Sequence, residues 1–323
     1  MILRQERIKK VNEVDYLIIS SSIDYSTDLI CYELYERKAR YIRLNRDHFS
    51  KYKILYNLQN ATMTIYMDDD LYVVSNRTLK GIYFRAPVFL RSHKKYDLHE
   101  QLYRSQWSSF VRNLIVFGKA KWINHPVSTY KAENKLYQLK CAKEIGLHVP
   151  QTYIGNVVPE YISLTKNYVV KPLDTALFYT DTQELFTYST MVNGQDLLDE
   201  NINDAPIILQ EYLENKLDLR VTVIGSKIYP VSITNNGQHI VGDWRKNPKK
   251  TLQYTETFLP QNVKDKILEL MDKLKLVFGG IDLIISNNKY YFIEVNPTGE
   301  WGWLSSGCNI PIEKAIVEEL LAV

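Results

Sequence analysis

Hydrophobic and polar positions follow two different periods in the first third of the chain. The apolar run over 14–20 predicts a buried strand, and the polar residues after it lead into a helix predicted over 28–38 with Thr27 as its N-cap. Shorter apolar segments predict further strands over 41–44, 62–67, 71–75 and 81–85. This mixture of one helix and several strands predicts an α/β unit at the N-terminal end.

The remainder of the chain begins with helices and continues as sheet. Apolar residues spaced as on a helix face (Trp107, Val111, Leu114 and Ile115) predict a helix over 98–117, and a second helix is predicted to end at Gly146. Strands that are mostly antiparallel are then predicted between residues 168 and 233. A helix opening at Pro260, a hairpin over 281–295 and a helix over 311–321 complete the pattern.

Composition narrows the class of protein. The 323 residues suggest about two domains, and a net charge of +3 favours neither nucleic acid nor membrane as a partner. No apolar run is long enough to span a bilayer, and the N-terminal residues do not read as a signal peptide. Three scattered cysteines (Cys31, Cys141 and Cys308) favour a reducing compartment, so we expect a cytoplasmic protein. The P-loop, dinucleotide-binding and serine-hydrolase motifs are absent from the sequence.

The most informative residues are Asp282, Glu294 and Asn296 in the predicted hairpin. Side chains alternate along a strand, so Glu294 and Asn296 share a face. Asp282 joins them if residues 282 and 294 pair, which we expect to require a three-residue loop centred on Asn288. Two carboxylates and an amide oxygen on one face form an oxygen-only site of the kind that Mg²⁺ prefers. Acid–base chemistry and a plain solvated hairpin face are the alternatives.

The spacing of these three residues is similar to the metal-binding signature of ATP-grasp ligases. Lys135 and Lys171 match the two phosphate-binding lysines of that family, and Asp218 lies in a segment that resembles its ribose and phosphate contact. Residues Gln210, Glu211, Tyr212 and Leu213 resemble the hinge whose backbone reads adenine. Phe292 and Ile284 are expected on the metal face, beneath adenine, with plain core packing as the alternative. The family's Gly-rich phosphate loop is missing, because 172–192 contains no glycine.

The resemblance implies an α/β protein with the ATP-grasp fold, binding ATP and Mg²⁺. It implies an N-terminal pre-ATP-grasp domain over 1–125, a central lobe over 126–205 and a C-terminal lobe over 206–323.

Residues 296–311 resemble the tail of graspetide synthetases, the peptide macrocyclases, except that Glu300 stands where that family usually has Gln. The motif Asp243-Trp244-Arg245 and three N-terminal segments (26–28, 43–45 and 83–85) are also similar to that family. The resemblance implies a ligase that activates Glu or Asp side chains of a precursor peptide as acyl phosphates. A Thr or Ser hydroxyl or a Lys amine of the same peptide then attacks, giving ester or amide rings. Arg220 and Arg245 would bind the carboxylate and the transferring phosphoryl group, with surface ion pairs as the alternative.

The expected partner is a precursor peptide with leader and core segments, and we expect a homo-oligomer, a dimer. The Thr- and Tyr-rich hairpin predicted over 177–191 is a candidate groove for the leader. His239 is a weak candidate base and Cys308 a weak candidate nucleophile. Two rival functions stay open: a ligase that adds free amino acids to a protein, like the ribosomal-protein glutamate ligases, and a non-catalytic nucleotide-binding regulator.

Overall fold

A computed structural model describes residues 10–85, 96–174, 177–179, 184–199 and 204–322. The helices are α1 (Tyr25–Glu36), α2 (Leu98–Asn113), α3 (Pro126–Ala132), α4 (Lys135–Glu144), α5 (Asp196–Asp199), α6 (Gln261–Leu274), α7 (Gly302–Cys308) and α8 (Ile312–Leu321). The strands that precede helix α3 are β1 (Lys10–Glu13), β2 (Tyr16–Ser20), β3 (Tyr41–Asn45), β4 (Lys53–Asn57), β5 (Thr62–Met67), β6 (Asp70–Ser75), β7 (Gly81–Phe84) and β8 (Lys121–Ile123). The later strands are β9 (Thr152–Gly155), β10 (Asn167–Pro172), β11 (Leu177–Tyr179), β12 (Glu184–Phe186), β13 (Thr190–Asn193), β14 (Ile207–Glu211), β15 (Leu217–Ile224), β16 (Lys227–Asn235), β17 (Leu252–Glu256), β18 (Phe278–Ser286) and β19 (Lys289–Asn296).

The described residues form two compact units. Unit 1 comprises the chain up to Tyr130 together with Leu276–Phe278 and the segment from Thr298 onward, and unit 2 comprises Lys131–Lys275 and Gly279–Pro297. The α/β class expected from the sequence is confirmed by this mixture of helices and sheets. The expected boundaries near residues 125 and 205 stay predictions. No described helix is both long and apolar enough to cross a membrane.

Unit 1 contains two sheets over one apolar core. Strands β3, β2, β7 and β8 form a parallel sheet in that order, and β1, β6, β5 and β4 form a second sheet. Helix α1 begins at Tyr25, earlier than predicted, because the Asp24 carboxylate accepts a hydrogen bond from the Thr27 N–H at 3.1 Å. The prediction of Thr27 as the N-cap is therefore wrong. The acidic residue three positions earlier is the cap.

The amphipathic helix of unit 1 is shorter than its pattern predicted. Helix α2 ends at Asn113 and continues as a tighter 3-10 turn over Leu114–Val116. Val111 and Leu114 are buried as expected, but Ile115 is 42% exposed. The tighter turn changes the rotation per residue, so it carries Ile115 off the buried face.

Unit 2 is mostly antiparallel sheet, as predicted. Strands β13, β10, β14 and β9 form one sheet, and β17, β16, β15, β18 and β19 form another. The expected hairpin over 177–191 is divided, since β11 pairs with β12 while β13 pairs with β10 in the four-stranded sheet. Residues 180–183 of that hairpin lie outside the described residues, so the leader groove stays a prediction.

The β18–β19 hairpin confirms the pairing of Asp282 with Glu294 but by a different geometry from the one expected. The turn has two residues, Asn287 and Asn288, both with positive φ (49° and 58°), as type I′ hairpins require. The register then shifts between Asp282 and Leu283, because Ile293 is an extra residue on β19. This bulge, and not a three-residue loop, brings residues 282 and 294 into register.

Candidate functional site

A pocket in unit 2 gathers most of the residues that the sequence singled out. Its lining includes Lys171, Gln210, Glu211, Tyr212, Leu213, Asp218, Arg245, Asp282 and Glu294. Lys135, Arg220 and Asn296 do not line it directly, but each hydrogen bonds to a carboxylate that does. Residues separated by more than 150 positions in the chain therefore meet at one place.

The two acidic residues of the hairpin, Asp282 and Glu294, each form an ion pair with a basic side chain. The Lys135 Nζ, at the first position of α4, lies 2.6 Å from Glu294 Oε2. The Arg220 Nη1, on β15, lies 2.8 Å from Asp282 Oδ1. Asn296 donates from Nδ2 to Glu294 Oε1 at 3.1 Å, and Asp282 pairs with Glu294 across the hairpin. Lys135 was expected to bind phosphate, and its protein partner here is Glu294.

Glycine at position 280 makes room for Arg220. A Cβ at Gly280 would lie 2.5 Å from Arg220 Nη2 and 2.7 Å from its Cζ. Gly280 pairs with Asn296 across the hairpin, so the guanidinium lies against the strand beside the candidate metal ligands. The sequence gives no indication that Gly280 accommodates a side chain 60 positions earlier in the chain.

The charges around the two carboxylates separate their pKa values. Burial raises the pKa of Asp282 and the charge of Glu294 adds to this, while Arg220 acts in the opposite direction. Burial would also raise the pKa of Glu294, but Lys135 and Lys171 outweigh it and hold that pKa well below its usual range. Glu294 is thus the member of the pair that keeps its negative charge to lower pH.

This donor set fits a hard divalent cation. Among the described residues, no group of three or more His, Cys, Asp or Glu side chains is placed to hold a metal. Two carboxylates and one amide oxygen alone would leave a Mg²⁺ ion short of six ligands, as in sites that phosphate oxygens and water complete. Acid–base use of the pair, the alternative expected from sequence, stays open, since the environment separates the pKa values of the two carboxyl groups.

The second lysine is held by the side chain of Gln210. The Lys171 Nζ donates to Gln210 Oε1 at 2.7 Å, and Gln210 Nε2 donates to Thr152 Oγ1 at 2.9 Å. Burial lowers the pKa of Lys171 to about 8, aided by the nearby charges of Arg245 and Lys135 and opposed by Glu294. Gln210 was expected to act through its backbone only, whereas its buried side chain orients Lys171.

The apolar lining of the pocket differs from the expected one at one position. Phe292 pairs with Leu283 and is fully buried, and it is not among the described residues that line the pocket. Ile284 lines the pocket as expected, and Ile293, which was not predicted, lines it as well. The placement of Phe292 on the metal face is therefore wrong, because the bulge at Ile293 shifts the alternation of side chains on β19.

Lys216 is a pocket residue that sequence reasoning missed. Its Nζ hydrogen bonds to the Asp218 carboxylate, and both side chains are buried. Burial raises the pKa of Asp218 to about 6, with Lys216 acting against that rise. A lysine two positions before an acidic residue on a strand faces the same side, and this spacing was the available signal.

Asp243 is a second residue left out of the expected site. Its Oδ1 accepts from Arg245 Nε at 2.9 Å and its Oδ2 from Arg245 Nη2 at 2.9 Å, a bidentate pair. The same carboxylate accepts from the backbone N–H of Ser189 at 3.1 Å. Asp243 therefore fixes Arg245 and the segment leading into β13 together.

Within unit 1, the tail motif and two of the N-terminal motifs form one network. The buried Arg85 donates to Glu300 Oε1 at 2.6 Å, to the Thr298 carbonyl at 3.0 Å and to Asp24 at 3.0 Å. Ser26 donates to Glu300 Oε2 at 2.9 Å and accepts from the Gly302 N–H at 3.1 Å. Both carboxylate oxygens of Glu300 therefore accept a hydrogen bond, one from Arg85 and one from Ser26. The Gln that is usual in the resembling family has only one side-chain oxygen and could accept only one of the two.

The structure does not favour either of the two weak candidates, Cys308 and His239. Burial raises the pKa of the Cys308 thiol, which favours its neutral, unreactive form. His239 lies outside the described lining of the pocket.

Comparison with sequence families and curated proteins finds a domain match and a partial relative. The profile of the RimK-like ATP-grasp domain matches residues 181–320. The tyramine–L-glutamate ligase of Methanocaldococcus jannaschii is 31% identical over 104 residues, which cover 30% of this chain and only 30% of that ligase's own length.

Solved structures match over almost the whole chain. The macrocyclase MdnC of Microcystis aeruginosa, bound with its precursor peptide MdnA, is 25% identical with a TM-score of 0.79, covering 95% of this chain and 99% of MdnC. A Chryseobacterium gregarium RiPP-associated ATP-grasp ligase, in complex with ADP and a leader and core peptide, is 26% identical with a TM-score of 0.81 and covers 96% of each chain. A D-alanine–D-alanine ligase from Bacillus anthracis, 13% identical with a TM-score of 0.57, shares the fold alone.

Proposed function

We propose that the chain is an ATP-grasp ligase, with the RimK-like domain that residues 181–320 match, and that it closes rings in a ribosomally made precursor peptide. In the proposed reaction, a Glu or Asp side-chain carboxylate of the peptide attacks the γ-phosphorus of ATP, releasing ADP and forming an acyl phosphate. A Thr or Ser hydroxyl or a Lys amine of the same peptide then attacks the acyl carbon. Phosphate leaves, a proton is lost, and an ester or amide ring remains.

One observation carries this proposal. Asp282, Glu294 and Lys171 line one pocket of unit 2 together with Arg245, and Arg220 contacts Asp282. Carboxylates suit a metal-bound polyphosphate, the lysine suits its phosphates, and the arginines suit a carboxylate that accepts a phosphoryl group. Two structures of similar fold, at 25% and 26% identity, belong to ligases that were solved with precursor or leader and core peptides.

The polar residues of the pocket divide between nucleotide and peptide. Asp282, Glu294 and Asn296 would hold Mg²⁺, which when bound neutralises phosphate charge in this class of reaction. Lys171, oriented by Gln210, would bind phosphate, and Lys135 would do so from its position on Glu294. Asp218 would accept hydrogen bonds from ribose hydroxyls, and residues 210–213 would border adenine, with Ile284 and Ile293 as apolar neighbours.

The two arginines would act on the peptide carboxylate. The guanidinium groups of Arg220 and Arg245 are each fixed by an acidic partner, Asp282 and Asp243. A fixed guanidinium presents two parallel donors to a carboxylate without reorganising, so it can orient the attacking oxygen and stabilise charge on the transferring group. No residue is assigned as general base.

The test is mass spectrometry of a candidate precursor co-expressed with the chain. The first candidate would be any short reading frame beside the gene whose end is rich in Thr and Glu or in Lys and Asp. We expect the peptide to lose one water per ring, and the rings to resist exopeptidase digestion. A gain of one amino-acid residue in mass would favour the rival ligase, and an unchanged peptide without ADP release would favour a non-catalytic regulator.

A second candidate function has an observation of its own. The RimK-like profile and the partial likeness to a tyramine–L-glutamate ligase both favour a ligase that joins a small amine or amino acid to a carboxylate. Incubation of the chain with ATP, Mg²⁺, glutamate and tyramine tests it. Condensation products formed without any peptide would make this the better assignment.

Lys171 gives the proposal a pH-dependent signature. Its pKa of about 8 means that the ammonium is mostly lost above that pH, and bound phosphates would raise this pKa. We therefore expect ADP binding at pH about 8.5 to take up a substantial fraction of a proton, and the contribution of Lys171 to this uptake to vanish near pH 6.5, where its ammonium is already present. Calorimetric titration in two buffers of different ionisation enthalpy measures it.

Variants identify the source of that proton. Lys171→Met is expected to abolish the uptake, whereas Lys166→Met, at an exposed lysine of the same unit, is expected to leave it unchanged. Uptake that persists in Lys171→Met would assign the proton to another group and contradict the phosphate role of Lys171.

A further inference from the structure

A dense group of positive charges follows the pocket along the chain. Residues 245–250, here called the basic loop, contain Arg245, Lys246, Lys249 and Lys250, four cations in six positions of a chain whose net charge is only +3. Arg245 lines the pocket, and the three lysines are exposed. Among the described residues, no acidic side chain lies within ion-pairing distance of Lys246, Lys249 or Lys250.

The basic loop is structurally fixed. Its backbone forms two 3-10 turns, over Trp244–Lys246 and Lys249–Thr251. Between them, Asn247 Oδ1 accepts from Asn235 Nδ2 at 2.8 Å and Asn247 Nδ2 donates to the Trp244 carbonyl at 3.2 Å. The Asn236 N–H donates to the Thr251 carbonyl at 2.9 Å, which fastens the end of the loop to the sheet. A fixed backbone keeps the lysines together without an acidic partner.

We propose that the basic loop is a docking surface for the acidic residues of a peptide substrate that lie beside the carboxylate undergoing reaction. The charge of the loop is complementary to such a peptide, and Arg245 makes the surface continuous with the pocket. The two turns of the loop contain one aromatic residue, Trp244, which lines the pocket, whereas single-stranded nucleic acid stacks successive bases on several aromatic side chains. The identity of the partner rests on the proposed function, whereas the anionic character of the partner rests on the loop.

The test uses a fluorescein-labelled decapeptide of alternating Thr and Glu, with a Thr and Gln decapeptide as its neutral match. Anisotropy titrations at about 50 mM and about 200 mM salt compare wild type with Lys246→Gln/Lys249→Gln/Lys250→Gln. The control is Lys51→Gln/Lys53→Gln/Lys119→Gln, which removes three exposed lysines of unit 1. We expect the first triple variant to bind the Glu peptide about tenfold more weakly at low salt with a shallower salt dependence, because fewer charges are neutralised. We expect the control variant to match wild type, and ADP affinity to be equal in all three proteins.

Three results would overturn the proposal. The first is that wild type and the basic-loop variant bind the Glu peptide equally well, and the second is that wild type does not bind it. The third is that deca-deoxythymidylate binds more tightly than the Glu peptide and that its binding depends on the same three lysines. Failure of the proposed function gives a different pattern. If the peptide binds in a lysine-dependent way but no co-expressed precursor loses water, the docking surface is supported and the proposed macrocyclisation is contradicted.

Discussion

Replacement of Glu294 by Gln is expected to lower ring formation by about a thousandfold or more, the largest effect of any single substitution in the pocket. Glu294 carries the ionised carboxylate of the candidate metal site and also fixes Lys135 at 2.6 Å. Gln keeps the size and one carbonyl oxygen but removes the charge, so both the cation and the lysine lose their counterion. Water loss from a co-expressed precursor measures the effect on the reaction.

Nucleotide binding separates a metal role from a general one. We expect Glu294→Gln to weaken ADP binding measured with Mg²⁺ by about tenfold, and not to weaken ADP binding measured with EDTA. Glu269→Gln, at an exposed position of α6, is the matched control and is expected to behave as wild type in both titrations. Retained cyclisation, or equal loss of affinity with and without metal, would contradict the assignment of Glu294 as a metal ligand.

The pairing of Asp282 with Glu294 could be predicted from sequence because alternation along a strand is a local property. Both residues had to share a face if they were to act together, and this fixed their relative register. The means of reaching that register could not be predicted. Asn287-Asn288 is compatible with a two-residue turn, and Asn288 is equally compatible with the centre of a three-residue turn. Ile293 is a residue type common in regular strands, so nothing in the sequence marks it as the site of a bulge.

The partners of the charged residues were beyond the sequence for a different reason. Lys135 and Glu294 are 159 positions apart, and Lys171 and Gln210 are 39 apart. Such contacts depend on how the strands and helices of unit 2 pack, not on spacing along the chain. A motif can indicate that a lysine belongs to a phosphate site, but the group that holds it in place comes from tertiary structure.

The same limit applied to the resemblance in unit 1. Segments 26–28 and 83–85 and the tail could be matched one by one, without any indication that Arg85 and Ser26 both bind Glu300. Their meeting explains why the motifs occur together: they hold five consecutive residues, 298–302, against the carboxyl end of the parallel sheet. Sequence similarity identified the parts of this network, and packing supplied its geometry.

Substitution of Ala at Gly280 is expected to disable the pocket although it replaces no polar side chain. A Cβ there would lie 2.5 Å from Arg220 Nη2, closer than such atoms approach, so the guanidinium must leave its place beside Asp282. Gly280 does not have a positive φ, so the effect comes from the side chain and not from backbone strain. We expect ring formation to fall about a hundredfold, because a displacement of about 1 Å in a positioning group costs this much. We also expect the free energy of unfolding to fall by only about 1 kcal/mol, because the atoms that the Cβ meets are the end of a flexible side chain, which can move.

A second glycine shows whether that loss is specific. Gly155, also in a strand of unit 2, has no atom within 4 Å of the Cβ that Ala would add, so Gly155→Ala is expected to keep both activity and stability. Because Arg220 is assigned to the peptide carboxylate, we expect Gly280→Ala to weaken peptide binding and not nucleotide binding. ADP affinity should stay near the wild-type value, while the peptide concentration needed for half-maximal ring formation should rise. Full activity in Gly280→Ala would mean that Arg220 can act from another position, and its role in orienting the peptide carboxylate would have to be abandoned.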